Sequence, residues 1–173
     1  MIISNSSKRV KSTIERLPKL GFNINDFEEI MTSGEMIWQS LFHENYKQTK
    51  NLGKNCFHIY DKSKEGENKY LNSLNKFNIV TDINKADFIL GCTPLANRNV
   101  LDYYPDLEIA LKKKLPFICA NPDFDTVESK SEKLIFCIGT ISEMYKNMGG
   151  KIFFLGKPSI DIYYEVSKGL NKL

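Results

Sequence analysis

The feature that most restricts the fold of this chain is a regular alternation of short apolar runs with amphipathic segments. Asn55–Tyr60, Phe88–Cys92, Pro116–Ala120, Lys133–Ile138 and Ile152–Leu155 are strand-length runs, most of them bounded by Gly, Pro, Asn or Asp. Strands covered on both faces have this character. Between them apolar residues recur at helical spacing: Leu101, Leu107, Ala110 and Leu111 within Asn99–Lys114, then Ile141, Met144 and Tyr145 ahead of Gly149-Gly150. Strands alternating with helices predict an α/β chain with a largely parallel sheet.

The first fifty residues follow the same grammar. Met1–Ile3 reads as the end of a strand and Ser4–Ser7 as a turn and helix cap. A helix follows through Val10, Ile14, Leu17 and Leu20, stopped by Gly21. Phe27–Met31 is a short strand, and Thr32-Ser33-Gly34-Glu35 opens a helix carrying Met36, Ile37, Trp38 and Leu41. His43–Lys54 is polar and irregular, a linker. Tyr70–Phe77 reads as a short helix and Ile79-Val80 as a brief strand.

A formal charge of +3 and the scarcity of Arg beside Lys argue against a nucleic-acid or membrane-surface partner. Cys56, Cys92, Cys119 and Cys137 form no Cys-x-x-Cys, and His43 and His58 do not flank them at zinc-finger spacing. Each cysteine lies in or beside an apolar run, the setting of a buried reduced thiol, which points to a reducing cytoplasm. No signal peptide or membrane span is legible. His43, His58 and Trp38 read as ordinary surface or packing residues.

Gly149–Tyr163 is the most suggestive stretch. Ile152–Leu155 is a strand between glycines, and Gly156-Lys157-Pro158 precedes Ile162, Tyr163 and Val166 at helical spacing. Proline suits the first turn of that helix. Lys157 then stands at a strand-to-helix junction, where backbone N–H groups and the helix dipole favour an anion. Spacing alone reads it equally as a solvated surface lysine. Ser4-Asn5, Asn121–Asp123 and Gly156-Lys157 all follow apolar runs, and in open α/β sheets ligands bind beyond the carboxyl ends of strands.

Taken in order, Ile2-Ile3-Ser4-Asn5-Ser6, Thr32-Ser33-Gly34-Glu35, Ile118–Asp123 and Gly149-Gly150 followed by Gly156-Lys157-Pro158 resemble the haloacid dehalogenase superfamily, class IIA, its nitrophenylphosphatase or NagD-like branch. The resemblance implies a Rossmann-like core with an inserted α/β cap, and Mg²⁺-dependent hydrolysis of phosphate esters through an aspartyl-phosphate. It divides the chain into partial core over 1–50, cap over 51–138 and partial core over 139–173. By the same resemblance Ser4 matches the hydroxyl that bonds the phosphoryl group, and Asn5 helps to shape the phosphate pocket. Lys157 holds nucleophile and phosphate together. Asn121, Asp123 and the following residues to Thr126 match the cap loop that faces the substrate, a phosphorylated small molecule. Asp161 matches no catalytic position and reads as structural.

Two motifs of the family are not matched. Its Asp-x-Asp nucleophile should precede Ser4, and its acidic Mg²⁺-binding motif should follow the helix at 160–170. Asp61, Asp82, Asp87, Asp102, Asp106 and Asp125 all fall in the expected cap, and Asp123-Phe124-Asp125 stands at the cap position. The expectation is therefore a HAD-like Rossmannoid core lacking its first and last catalytic strands, catalytically incomplete, with Mg²⁺ not bound by this chain alone and no metal ligands assigned. The alternatives are a non-enzymatic remnant, a half-protein completed by a partner chain or a homo-oligomer, and an unrelated α/β small-molecule binder. The cap is expected to fold alone and to survive proteolysis that trims the termini.

Overall fold

The computed structural model describes residues 1–63, 70–71, 74–127 and 134–170. Its first unit is a parallel pair, β1 (Ile2–Ser4) beside β2 (Ile30–Thr32), with Ile3 opposite Met31. They are joined through helix α1 (Val10–Arg16) and a 3₁₀ turn, Leu17–Leu20, closed by Gly21 at φ 84°. Helix α2 (Ser33–His43) starts where sequence places it: Thr32 is the N-cap, its hydroxyl accepting the Glu35 N–H at 3.0 Å.

The second unit is a five-stranded, wholly parallel sheet made of β3 (Asn55–Ile59), β4 (Asn78–Val80), β5 (Phe88–Gly91), β6 (Phe117–Cys119) and β9 (Ile152–Phe154), in the order β4-β3-β5-β6-β9. Between β6 and β9 lie an antiparallel hairpin, β7 (Asp125–Val127) with β8 (Leu134–Phe136), and helix α4 (Ile138–Asn147). Helix α3 (Tyr104–Lys112) joins β5 to β6, and α5 (Ile160–Leu170) closes the chain as described.

The runs are apolar because side chains alternate between two covered faces. On one face Cys56, Phe88, Leu90, Ile118 and Leu155 form a cluster with Ile37 and Leu41 of α2 and Ile162 and Val166 of α5. On the other, Ile59, Ile89, Phe117 and Cys119 meet Tyr103 and Leu107 at α3 and Ile138, Ile141 and Tyr145 of α4. Twelve of the largest of these side chains, Tyr70, Phe88, Ile37 and Leu90 among them, have under 2% of their surface exposed.

Several expectations are corrected. The resemblance puts Ile152–Leu155 in the C-terminal core piece, yet β9 pairs with β6, Ile118 opposite Phe153, and so joins the sheet of the expected cap. Residues of α2 and α5 pack on one face of that sheet, in the same cluster as Leu90 and Ile118, so a cap cut at 51 and 138 would lose part of that cover. Asn99–Lys114 is not one helix: Val100–Tyr103 is a 3₁₀ turn and the α-helix begins at Tyr104, ahead of a proline. Of the strand expected over Lys133–Ile138, Lys133 lies outside the described residues and the rest divides between β8 and the start of α4. Part of the helix expected over Tyr70–Phe77 lies outside the described residues; the rest forms turns, Leu74 N–H to Leu71 O at 2.8 Å and Phe77 N–H to Leu74 O at 3.0 Å. Pro158 lies ahead of α5 and not in its first turn, behind a cis Lys157–Pro158 bond.

Candidate functional site

Three strand ends and one helix start converge on Asn5. This residue, 8% exposed, follows β1 and is the hub of the cluster. Its Oδ1 accepts the Lys157 N–H at 2.7 Å. Its Nδ2 donates to Asp123 Oδ1 at 2.7 Å and to Lys157 O at 3.1 Å. One amide side chain thereby uses donor and acceptor together to join the end of β1, the loop after β6 and the turn after β9.

The approach is close. A Cβ on Gly156 would lie 2.6 Å from Ser33 Oγ and 2.7 Å from Asn5 Oδ1, so only glycine lets the turn settle against both. Gly34 is pressed in the same way against the Ser7 carbonyl, at 2.0 Å from a Cβ position, and its N–H bonds Ser6 O at 2.9 Å. The Thr32 hydroxyl donates to Lys8 O at 2.6 Å. These contacts lock the Ser4–Lys8 turn onto the start of α2.

Ser4, half-buried at the end of β1, accepts the Ser6 N–H at 3.2 Å, which leaves its proton to donate. Lys157 is half-buried, and its ammonium makes no ion pair among the described residues. Asn121 folds its own loop, Oδ1 accepting the Asp123 N–H at 2.9 Å. Asp123 is exposed but tied to Asn5. Thr126 stands apart in β7, opposite Ile135, with no hydrogen bond to the cluster among the described residues. Asp161 lies in the first turn of α5, where Ser159 Oγ donates to its carboxylate at 2.7 Å and accepts its N–H at 3.3 Å.

Three participants have no site role in the sequence reading, although it places Ser33 and Glu35 in the motif that opens α2. Ser33 Oγ is buried without a hydrogen-bond partner among the described residues. Gly139 lets the Asn121–Asp123 loop lie close, since a Cβ there would collide with the Asp123 and Pro122 carbonyls. Glu35, at the first turn of α2, takes Arg9 in a fork at 2.6 and 3.0 Å, together with the Val10 N–H at 3.1 Å. Burial pushes the Glu35 carboxyl up, but Arg9 and Val10 outweigh it and hold the group below the ordinary carboxylate range. Arg9 lies 3.5 Å from the Trp38 ring centroid, so Trp38 packs under a cation as well as against the core.

No protein-family model matches this chain, and no curated protein sequence does. Solved structures do. A hydrolase of the haloacid dehalogenase-like family from Brucella suis 1330 superposes with a TM-score of 0.81 at 24% identity over 99% of this chain and 59% of its own. The p-nitrophenyl phosphatase from Archaeoglobus fulgidus gives 0.62 at 22% identity over 98% and 60%. The glycerol phosphate phosphatase from Mycobacterium tuberculosis, in complex with calcium, gives 0.65 at 15% identity over 98% and 47%. The chain has the haloacid dehalogenase-like hydrolase fold. It spans 60% or less of the length of these three structures.

The side chains at the cluster do not fit Mg²⁺. Asp123 is the one carboxylate of the cluster among the described residues, and its Oδ1 is already engaged by Asn5. Among the described residues no three His, Cys, Asp or Glu side chains converge on one point. Mg²⁺ demands near-octahedral oxygen ligation, usually with carboxylates contributing.

Proposed function

We propose that this chain carries the phosphate-gripping part of a class IIA haloacid dehalogenase-type phosphatase and binds the phosphoryl group of a small molecule at Ser4, Asn5 and Lys157. The observation that carries this reading is the Asn5 clamp, which holds the Lys157 backbone by both its N–H and its C=O to the residue that follows Ser4. A hydroxyl donor and an ammonium on a stiff turn suit phosphoryl oxygens, since charged hydrogen bonds to such oxygens are the strong ones. The bond from Asn5 to Asp123 supports reading the Asn121–Asp123 loop, with Thr126 following on β7, as the wall that meets the rest of the substrate.

Hydrolysis by the aspartyl-phosphate route needs a carboxylate nucleophile and a carboxylate-held cation. The sole Asp-x-Asp of the sequence, Asp123-Phe124-Asp125, has its first carboxylate tied to Asn5 and its second on β7. Turnover therefore requires carboxylates from adjoining sequence, a complementing chain or a second copy. The second reading is a non-enzymatic protein that binds a phosphorylated ligand or a partner chain by the same residues. Among the described residues no helix is long and apolar enough to cross a membrane. All four cysteines are buried and outside any disulfide, which supports a reducing cytoplasmic setting.

Calorimetric titration with inorganic phosphate tests the grip, and p-nitrophenyl phosphate with Mg²⁺ tests turnover. Saturable phosphate binding weakened about tenfold or more by Lys157→Ala is expected, with turnover by this chain at the level of the blank. Phosphate binding that ignores Lys157→Ala overturns the site. Turnover abolished by Lys157→Ala overturns the incompleteness.

A further inference from the structure

The five-stranded sheet has a topology of its own. Numbered within the sheet, its strands run 2-1-3-4-5: the chain leaves β3 for β4 on one side, then crosses back to β5 on the other. Ligands of open parallel sheets bind beyond the carboxyl ends of the strands at such a reversal, because the two loops there diverge and leave a crevice. The crevice exists in this chain. A cleft of about 340 Å³ opens past the ends of β3, β4 and β5, and Phe57, Tyr60, Val80, Leu95, Arg98 and Tyr103 are among the residues that line it. Ser4, Asn5, Asp123 and Lys157 are not among them.

Three further features say what would fit. β4 stops at Val80, opposite Phe57, so β3 continues through Ile59 with no strand beside it on that side among the described residues. Arg98 lies 5.1 Å from the Tyr103 ring centroid and donates from Nη1 to Asp106 Oδ2 at 3.1 Å. Tyr103 in turn accepts the Leu95 N–H at 2.8 Å, which fixes the loop that forms the far wall. The Arg98–Asp106 pair presents a donor beside an acceptor with no net charge. His58 and Lys62 also line the cleft, yet a phosphate beside the pair would still face the Asp106 carboxylate, whereas a neutral heteroaromatic edge with its own donor and acceptor would complement the pair. Apolar walls and tyrosine rings favour a flat ring system, and the volume lies at the small end of ligand sites.

We infer that this cleft is a second binding site, separate from the phosphoryl cluster, for a neutral heteroaromatic molecule of nucleoside size. Ligand-observed NMR with adenosine and with uridine tests it on the whole chain. The expected result is saturable binding of at least one of them with Kd below about 1 mM, weakened about tenfold or more by Arg98→Gln and by Val80→Trp. Both variants should melt as the parent does, and if Val80→Trp alone fails to fold, Arg98→Gln decides. Binding should persist in Lys157→Ala and in excess inorganic phosphate, which separates this site from the proposed phosphate grip. No saturable binding of either nucleoside, binding that survives Arg98→Gln, or binding lost with Lys157→Ala would each overturn the inference.

Discussion

Replacing Asn5 by Ala removes three hydrogen bonds at once, at 2.7, 2.7 and 3.1 Å, from a side chain 8% exposed. A neutral intramolecular hydrogen bond is worth about 1 kcal/mol net, so the two to the Lys157 backbone account for about 2 kcal/mol. The bond to Asp123 is charge-assisted, but that carboxylate is exposed, and solvent cuts its share to about 0.5–1 kcal/mol. The expected loss is about 2–3 kcal/mol, or about 4–12 °C in Tm for a chain of this size. Urea unfolding monitored by circular dichroism measures it. Asn5→Asp is the sharper variant. It keeps an acceptor for the Lys157 N–H but sets a carboxylate against Asp123, which raises the pKa of one of them. A raised folded-state pKa gives stability that is present below the unfolded value of about 4 and is lost as pH rises. Asn5→Asp should therefore be closest to the parent in acid and fall behind it towards neutrality. A loss below about 0.5 kcal/mol in Asn5→Ala, together with a pH-independent Asn5→Asp, would refute the clamp.

Four other outcomes are expected. Burial holds His58 neutral, lowering its pKa from 6.5 to about 3, so stability is full above 6.5 and falls towards 3 by up to about 1.4 kcal/mol per pH unit; His58→Gln should flatten that slope in urea titrations at several pH values. Ser33→Ala deletes a buried hydroxyl without a partner, and equilibrium unfolding should find the variant as stable as the parent or more so, a loss above about 1 kcal/mol counting against this. Gly139→Ala drives a methyl into the Pro122 and Asp123 carbonyls, and should cost about 2 kcal/mol or more and shift the Asn5 and Asp123 amide resonances. Limited proteolysis should yield no stable fragment bounded near residues 51 and 138, and Ile37→Ala, at a fully buried site, should cost about 2–5 kcal/mol and loosen hydrogen-exchange protection in β5 and β6 as well as in α2.

What sequence reveals about this chain follows from where its signals are local. The strands of the large sheet were legible because both their faces are buried, which leaves runs such as Phe88–Leu90 with no polar interruption. The start of α2 was legible because Thr32 caps its own neighbour, and the end of the Leu17–Leu20 turn because Gly21 takes a left-handed conformation. The place of β9 was not, since an apolar run looks the same in either sheet and its partner β6 lies more than thirty residues away. The β7–β8 hairpin escaped for want of a turn signature in the described residues beside it. Ser4, Asn5 and Lys157 stood out as polar residues after apolar runs, and resemblance gave them roles. What joins them, an amide reaching across 118 and 152 positions, leaves no periodic trace in the chain.

Those same separations bear on rates. A contact spanning most of the polypeptide forms only after long loops have closed, so the bonds of Asn5 belong to the native side of the folding barrier. Losing about 2 kcal/mol there should leave the folding rate nearly unchanged and speed unfolding about thirtyfold. An anion seated between Ser4 and Lys157 would act in the opposite sense. It would lengthen the lifetime of the folded molecule without hastening its birth.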